Sequence, residues 1–415
     1  MTHSHFKNLR PYQEDLAKKG CEILIAKKIV YYIMEVRTGK TFTALECANL
    51  YGATNVLFLT KKLAIKSIQN DYDKLKPKYD ITIINNESLH KVLKNDFDLI
   101  ISDEHHRMSA FPKPNKNAKE IKKRFGHLPI IALSGTPAIE SGSQWYHSFW
   151  VSNYSPFISA STFYKFANSF VNKKNKYIGQ LVCIDYSDSR DELIMPIIEP
   201  YLIRYTQAEA GFTSTIDERV IYYTQNDTLF KLVQELLDKR VVQGRSETIL
   251  ADTAVKMLNK IHQIENGTVI FESGNSMILD KSKAEFIKDN FKGKKIALFY
   301  YFQKEYELLK DVFCDELTND LSEFQNTNKC IALQQNRGSE GISLKEADAI
   351  VYYNFGYSGR QYAQGRDRLT TKEHESNNVY FVLAKGGLNE KIYKAIKKKK
   401  RYNEKLFKKD YGIRE

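Results

Sequence analysis

Between residues 28 and 52 the chain passes from KIVYYIMEV, rich in β-branched and aromatic residues, through the turn RTGKT into TFTALECANLYG, a run of helix formers that ends at a glycine. A strand, a glycine-bearing turn and a helix in that order commit the segment to an α/β unit. The turn carries what a phosphate-holding loop needs. Gly39 lets backbone N–H groups approach an anion, Lys40 reaches β- and γ-phosphates as a point charge, and Thr41 offers a hydroxyl to Mg2+. The full pattern G-x-x-x-x-G-K-[ST] has one more glycine, and Met34 stands in its place. TGKT by itself is also an ordinary surface turn, so a second motif has to decide.

The second motif is DFDLIISDEHHRMS (96–109), an apolar run that ends in Asp103-Glu104 and then His105-His106. A buried strand that delivers two carboxylates suits cleavage of a phosphoanhydride: the first, Asp103, holds the Mg2+ and the second, Glu104, orients and deprotonates the attacking water. The competing reading is a helix cap followed by a first-turn acid, with the two histidines as surface or metal-binding groups. The GKT upstream takes most of the weight from it. A third motif, LPIIALSGTPA (128–138), is another apolar strand, broken by Ser-Gly-Thr-Pro. Its hydroxyls, Ser134 and Thr136, are expected beside the carboxylates at the strand end, where parallel α/β sheets bind ligands.

RTGKT, DEHH and SGTPA, preceded by LRPYQ (9–13), resemble motifs I, II, III and the Q motif of superfamily 2 helicases and translocases. The detail is most similar to the Swi/Snf-type branch and its compact phage and bacterial members. Such proteins often carry Met-Arg or Met-Gly where the glycine is missing, so the resemblance implies that MEVRTGKT is a functional variant. It also implies that Arg10 and Gln13 serve the nucleotide, Gln13 at the adenine edge. His106, with Ser134 and Thr136, would couple the nucleotide to the nucleic-acid cleft, and TKK (Thr60, Lys61, Lys62) matches motif Ia and would contact nucleic acid.

Movement needs a second lobe that closes on the nucleotide and reopens after hydrolysis. KKIALFYYFQKEYELLKDVF (294–313) reads as strand then helix, and KCIALQQNRGSEGISLKEADAIVYYNF (329–355) as strand, glycine-rich loop, short helix and strand. RGSEGISL resembles motif V: Gly338 and Gly341 allow close backbone approach, Gly341 to the nucleotide, with Arg337 and Ser339 placed at nucleic acid. GRQYAQGRDRLTT (359–371) resembles motif VI, whose arginine stabilises charge on the γ-phosphate, an effect worth roughly 10³–10⁵ in rate. Arg366 is the first choice. The family spacing is Q-x-x-G-R-x-x-R, whereas here Gln361 lies four before Gly365 and only Asp367 separates Arg366 from Arg368, so Arg368 and Arg360 stay open. The passage 199–237 resembles the inter-lobe segment of the same proteins, with Arg204 in the place of a characteristic arginine.

A chain of 415 residues suits two or three lobes. The expected fold is α/β: two RecA-like parallel-sheet lobes in tandem with helical insertions and the ATP site at the lobe interface. Lobe 1 would span 1–205 with a helical segment near 140–205, and lobe 2 would span 206–415 with a helical segment near 225–265 and a basic C-terminal helix. The aromatic-dense stretch 143–171 is read as core. Sixty-three basic residues against fifty acidic ones give +13, which favours a polyanionic partner. Five scattered cysteines suggest neither a disulfide framework nor a zinc site. No apolar run approaches the roughly 18–20 residues of a membrane helix, and the start lacks the apolar core of a signal peptide.

The expected protein is therefore cytoplasmic, in a bacterial or phage-infected host cell, and a monomer without a membrane partner. Its expected cofactors are ATP and Mg2+, and its expected partner is duplex or branched DNA, with RNA as the alternative. The corresponding function is that of an ATP-dependent DNA translocase or helicase acting in fork remodelling or branch migration during replication, recombination or repair. The alternatives are an RNA helicase, a restriction or defence motor, and a nucleic-acid clamp without productive hydrolysis.

Overall fold

The computed structural model describes residues 9–93, 96–138, 141–178, 181–212, 215–244, 246–335, 344–357, 376–398 and 402–413. The chain divides into two compact units, Met1–Gly211 and Phe212–Glu415.

The first unit is built on a six-stranded sheet. Its strands are β1 (Ile29–Met34), β2 (Asn55–Thr60), β3 (Asp80–Asn85), β4 (Leu99–Ser102) and β5 (Ile130–Ser134). After an antiparallel hairpin of β6 (Lys174–Ile178) and β7 (Leu181–Asp185), β8 (Leu202–Tyr205) returns to the sheet. The order is β3-β2-β4-β5-β1-β8, with every pairing parallel. Parallel strands need crossover helices on both faces, and this is why β2, β4 and β5 read as near-continuous apolar runs. Helices α1 (Pro11–Lys27), α2 (Lys40–Tyr51) and α3 (Ile65–Leu75) cover one face. There Leu16, Leu24, Ala44, Ala48 and Ile68 share a core with Tyr32, Phe58 and Ile101. Helices α4 (Lys116–Phe125), α5 (Gln144–Trp150), α6 (Phe163–Phe170) and α7 (Asp191–Ile198) cover the other. Their Ile121, Phe125, Trp145, Phe166 and Ile194 meet Tyr31, Leu57 and Ile100, the neighbours one residue back along the same strands.

The aromatic-dense stretch lies in this second core, with ring centroids 5.0 Å apart for Phe157–Phe166 and 5.3 Å for Tyr31–Trp145. The β6–β7 hairpin interrupts the segment expected to be helical. Its signal is the period-two alternation of Lys174 and Lys176 with Asn175 and Tyr177, which the aromatic run before it obscures.

The second unit repeats the plan. Its strands are β9 (Thr215–Tyr223), β10 (Val241–Gln243), β11 (Thr248–Leu250), β12 (Thr268–Ile270), β13 (Ser276–Ile278), β14 (Ile296–Tyr300), β15 (Leu317–Thr318), β16 (Cys330–Gln334), β17 (Ala349–Tyr352) and β18 (Ser376–Ala384). Six of them form a parallel sheet in the order β15-β16-β14-β17-β18-β9, and β10–β11 and β12–β13 are small antiparallel pairs. Helices α8 (Asp227–Lys239) and α9 (Ala254–Glu265) lie in the connection from β9 to β14. They are followed by α10 (Ser282–Asn290), α11 (Gln303–Phe313) and α12 (Leu321–Asn326), and then by α13 (Leu388–Lys397) and α14 (Glu404–Tyr411). α8, α9 and α13 cover one face; α10 and α11 cover the other.

A buried polar network closes the C-terminal edge of this sheet. Asn354, just past β17, donates to Glu305 and accepts from His262 Nε2 (2.7 Å) and from the Phe355 N–H (2.8 Å). Glu305 also accepts the N–H groups of Tyr301 (2.8 Å) and Phe302 (3.0 Å), which opens α11. Lys283 donates to Asn266 (2.7 Å) and lies over the Tyr353 ring. Removing the Asn354 amide takes the partner from one Glu305 oxygen, from His262 Nε2 and from the Phe355 N–H in a buried site, and such orphaned atoms each cost about 1–3 kcal/mol. Asn354→Ala is expected to lower unfolding free energy by about 3 kcal/mol or more in a urea titration, where an exposed change such as Lys292→Ala stays within about 0.5 kcal/mol.

His105, His147 and His262 are almost fully enclosed. Burial pushes the first two down to about 4 and the third to about 3. An unfolded histidine titrates near 6.5, so below that pH the unfolded chain takes up protons that the folded chain refuses. Each histidine's contribution is therefore intact above pH 6.5 and is lost as pH falls toward its folded value. His105→Asn removes one such site. The stability gap between wild type and this variant should narrow between pH 7 and pH 4, by on the order of 3 kcal/mol, when read from unfolding curves at each pH. A constant gap would contradict a neutral, buried His105.

Candidate active site in the first unit

The strand order sets β2, β4, β5, β1 and β8 side by side, and parallel pairing brings all their C-terminal ends to one edge. Thr60, Asp103, Ser134, the loop 35–39 and Tyr205 stand in a row at those ends.

The loop after β1 turns through Arg37 (φ 64°) and Gly39 (φ 81°), and Gly39 caps α2. At φ 81° a side chain on Gly39 would be strained, and its Cβ would lie 1.9 Å from Gln13 Nε2, which would have to leave the loop. Nearly every carbonyl of the loop is bound from outside. Met34 O and Glu35 O accept from Lys40 Nζ (2.9 and 3.1 Å), and Thr38 Oγ1 also donates to Glu35 O (2.7 Å). Val36 O accepts from Gln207 Nε2 (2.9 Å), Thr38 O from the Tyr12 hydroxyl (3.1 Å) and Gly39 O from Gln13 Nε2 (3.2 Å). A planar trans peptide points its N–H opposite to its C=O, so the N–H groups of Arg37, Gly39 and Lys40 face away from these donors. The Thr38 N–H is bonded within the loop to Glu35 O (3.4 Å), and the other three, at a helix N-terminus beside a lysine, suit an anion. Met34, where the pattern has glycine, is the buried last residue of β1, and the bend comes after it.

The carboxylates come directly after β4. Asp103 Oδ2 accepts from the Thr60 hydroxyl (2.8 Å), and burial and then the neighbouring Glu104 charge push its carboxyl upward. Glu104 adopts the left-handed conformation (φ 49°, ψ 44°), a cost that non-glycine residues bear at sites held by their surroundings. Burial raises its carboxyl too, but the hydrogen bond and charge of His106, with Lys61 and Lys40, outweigh burial and hold it low. Glu104 is thus the stronger acid of the pair. His106 Nδ1 stands 3.2 Å from Glu104 Oε2 and 3.0 Å from Ser134 Oγ, and Ser134 Oγ in turn accepts the Thr136 N–H (3.1 Å). One imidazole therefore joins the ends of β4 and β5. Gly135 brings the next backbone so close that a Cβ there would lie 3.2 Å from Met34 O and 3.9 Å from Lys40 Nζ.

Among the described residues no cluster of three or more His, Cys, Asp or Glu side chains could cage a metal by itself. The donor set fits Mg2+ nonetheless, because that ion keeps several waters and takes one or two carboxylates together with substrate phosphates. Asp103 and the Thr41 hydroxyl would hold it.

The other expected residues occupy varied positions. Gln13 is buried, with Oε1 accepting the Arg10 N–H (2.8 Å) and its amide on the loop, while the exposed Arg10 guanidinium donates to Tyr12 (2.9 Å). Thr60 is fully buried and its side chain is spent on Asp103. Lys61 acts on Glu104 through its charge, and Lys62 is exposed. Arg204 lies on β8 and pairs with Glu199. Arg337, Gly338, Ser339, Gly341, Arg360, Arg366 and Arg368 lie outside the described residues.

Sequence reasoning missed the outer brace of the loop. Tyr205 stacks on Tyr12 with centroids 4.7 Å apart and accepts the Glu35 N–H through its carbonyl (3.1 Å), while the Gln207 N–H donates to Glu35 Oε2 (2.7 Å). Gln207 lies 172 positions from Glu35, and nothing in the local sequence around either residue marks that contact.

Residues 6–139 match the family model described as Type III restriction enzyme, res subunit. No curated protein matches the sequence. Among solved structures the chain is similar to a Sulfolobus solfataricus SWI2/SNF2 ATPase core in complex with dsDNA, at 18% identity and a TM-score of 0.43, over 100% of this chain and 96% of that one. The matched residues 6–139 hold β1 to β5, the Gly39-Lys40-Thr41 loop and the Asp103–Glu104 pair, and the chain as a whole folds as two units, each on a six-stranded parallel sheet.

Proposed function

We propose that the protein is an ATP-dependent DNA translocase of the Swi/Snf type, acting on duplex or branched DNA. The observation that carries this reading is the row at the first sheet's C-terminal edge: an anion-accepting loop with Lys40, the Asp103–Glu104 pair, and His106 joining that pair to Ser134. Magnesium-bound ATP supplies the scissile phosphoanhydride and a hard cation that neutralises its oxygens. Lys40 exchanges its two loop carbonyls for phosphate oxygens. Asp103, oriented by Thr60, holds the cation with Thr41. Glu104, ionised and fixed by His106, orients a water and takes its proton. His106 passes any shift of Glu104 to the β5 end, where Ser134 and Thr136 sit.

In the second unit Arg366, with Arg368 and Arg360 as alternatives, supplies positive charge to the γ-phosphate. Tracking contacts fall on phosphates, because a motor must tolerate any sequence. The charge of +13 supports a polyanionic track, and no helix among the described residues is long and apolar enough to cross a membrane. Fork remodelling or branch migration, as a cytoplasmic monomer, is the role this reading gives it. The family description of the matched region supports a second reading, the motor of a restriction system.

Steady-state ATP hydrolysis should be measured alone and with single-stranded DNA, duplex, fork, four-way junction and RNA of equal length. Strong stimulation by duplex or branched DNA is expected; stimulation by RNA alone, or by none of these, would overturn the DNA reading. Lys40→Ala should abolish hydrolysis. Glu104→Gln should retain ATP binding while kcat falls by roughly 10²–10⁴. Full turnover in both variants would remove the site assignment.

A further inference from the structure

We infer that the solvent-facing side of α4 is a second phosphate-binding surface for DNA, separate from the expected motif Ia contacts. This inference rests on the proposal that the protein acts on DNA. Residues 107–127 hold seven lysines and arginines against one glutamate, a net +6 out of the whole chain's +13. The helix sorts them by side. Ala118, Ile121 and Phe125 are buried against the sheet, Lys122 is tied to Ser152 O (3.1 Å) and Asn153 Oδ1 (2.9 Å), Arg124 pairs with Glu120 (3.3 Å), and Arg107, ahead of the helix, pairs with Glu87 (3.2 Å). Lys116, Lys119 and Lys123 remain, all exposed, at the i, i+3, i+7 spacing that makes one line along a helix, and exposed Lys113 extends it.

Among the described residues none of these four lysines has an acidic partner. Elsewhere the chain does supply one. Lys239, Lys256, Lys394 and Lys408 each pair with an acid four residues earlier, at 2.8–3.1 Å. α4 also lacks an acid in its first turn, where Lys116 opposes the helix dipole. Like charges at this spacing and a cation at this end both work against the folded helix by a few tenths of a kcal/mol each. An uncompensated line of cations is what a surface that meets a polyanion needs. The lysines rise by about 4.5 and 6 Å along the axis, and their flexible heads can meet separate phosphates of a strand that carries one charge per roughly 3.4 Å. All four lysines belong to the first unit.

The test is binding of a mixed-sequence duplex across a salt series, by wild type and by the triple variant Lys116→Gln, Lys119→Gln, Lys123→Gln. A control variant, Lys231→Gln, Lys292→Gln, Lys310→Gln, removes the same charge from exposed second-unit positions. Removing one lysine–phosphate pair should flatten the slope of log K against log salt by about 0.9, so the α4 variant is expected to be shallower by about 2–3 and the control by less than 1. Thermal unfolding of all three proteins identifies any loss that comes from misfolding, and a variant of Lys119 alone, expected to change the slope by about 0.9, tests the surface if the triple variant is unstable. Equal slopes in wild type and the α4 variant, or equal losses in the α4 variant and the control, would overturn the surface while leaving the DNA reading in place. Failure of the wild type to bind duplex at low salt would overturn both.

Discussion

Parallel strand pairing is the constraint on which the rest of the first unit depends. It forces helices onto both faces, and those helices demand apolar strands. It also gathers the C-terminal ends of β2, β4, β5, β1 and β8 along one edge. Groups from sequence positions 60, 103, 106 and 134 are brought within hydrogen-bond reach by neighbouring strands, and Tyr12 and Gln207 then add their own long-range hydrogen bonds to the loop. The hydrogen bond from Thr60 to Asp103 and the His106 link to Ser134 are direct products of strands lying next to each other.

The second unit obeys the same rule with different chemistry at its edge. There the ends of β14 and β17 are tied by amides and a neutral imidazole around Glu305 and Asn354. Buried polar groups of this kind are costly unless each is satisfied, and a satisfied network admits few other arrangements. That rigidity extends to the doorstep of the arginine-bearing segment, because Tyr357, whose hydroxyl lies 2.9 Å from His262, immediately precedes it in the chain.

Much of this was legible in the sequence because it depends on local pattern. Gly39-Lys40-Thr41 and Asp103-Glu104 stand at the ends of apolar runs that become β1 and β4, and the alternation of such runs with helical periods implied parallel sheets in both halves. The features that stayed hidden depend on tertiary pairing. Thr60 read as a nucleic-acid contact because TKK matches a motif, whereas the sheet buries it beside Asp103. Gln13 read as an adenine contact, and its amide is bonded to the loop. Gln207 carried no signal, since its partner is set by the return of β8 to β1. The hairpin of β6 and β7 was obscured by helix-compatible aromatics. The line of lysines on α4 was present in the sequence, but only the folded helix shows which of them are spent on neighbours.

The position of Lys40 has an energetic corollary. Its ammonium already holds the carbonyls of Met34 and Glu35, so a phosphate entering the loop displaces two hydrogen bonds before it gains its own. Capture is therefore an exchange between two satisfied states, and its net free energy is a small difference of larger quantities. A lysine with no resting partner would make the loop a trap. On the proposed reading, its two resting carbonyls make the loop a latch instead, and departing product would leave the ammonium a place to return to.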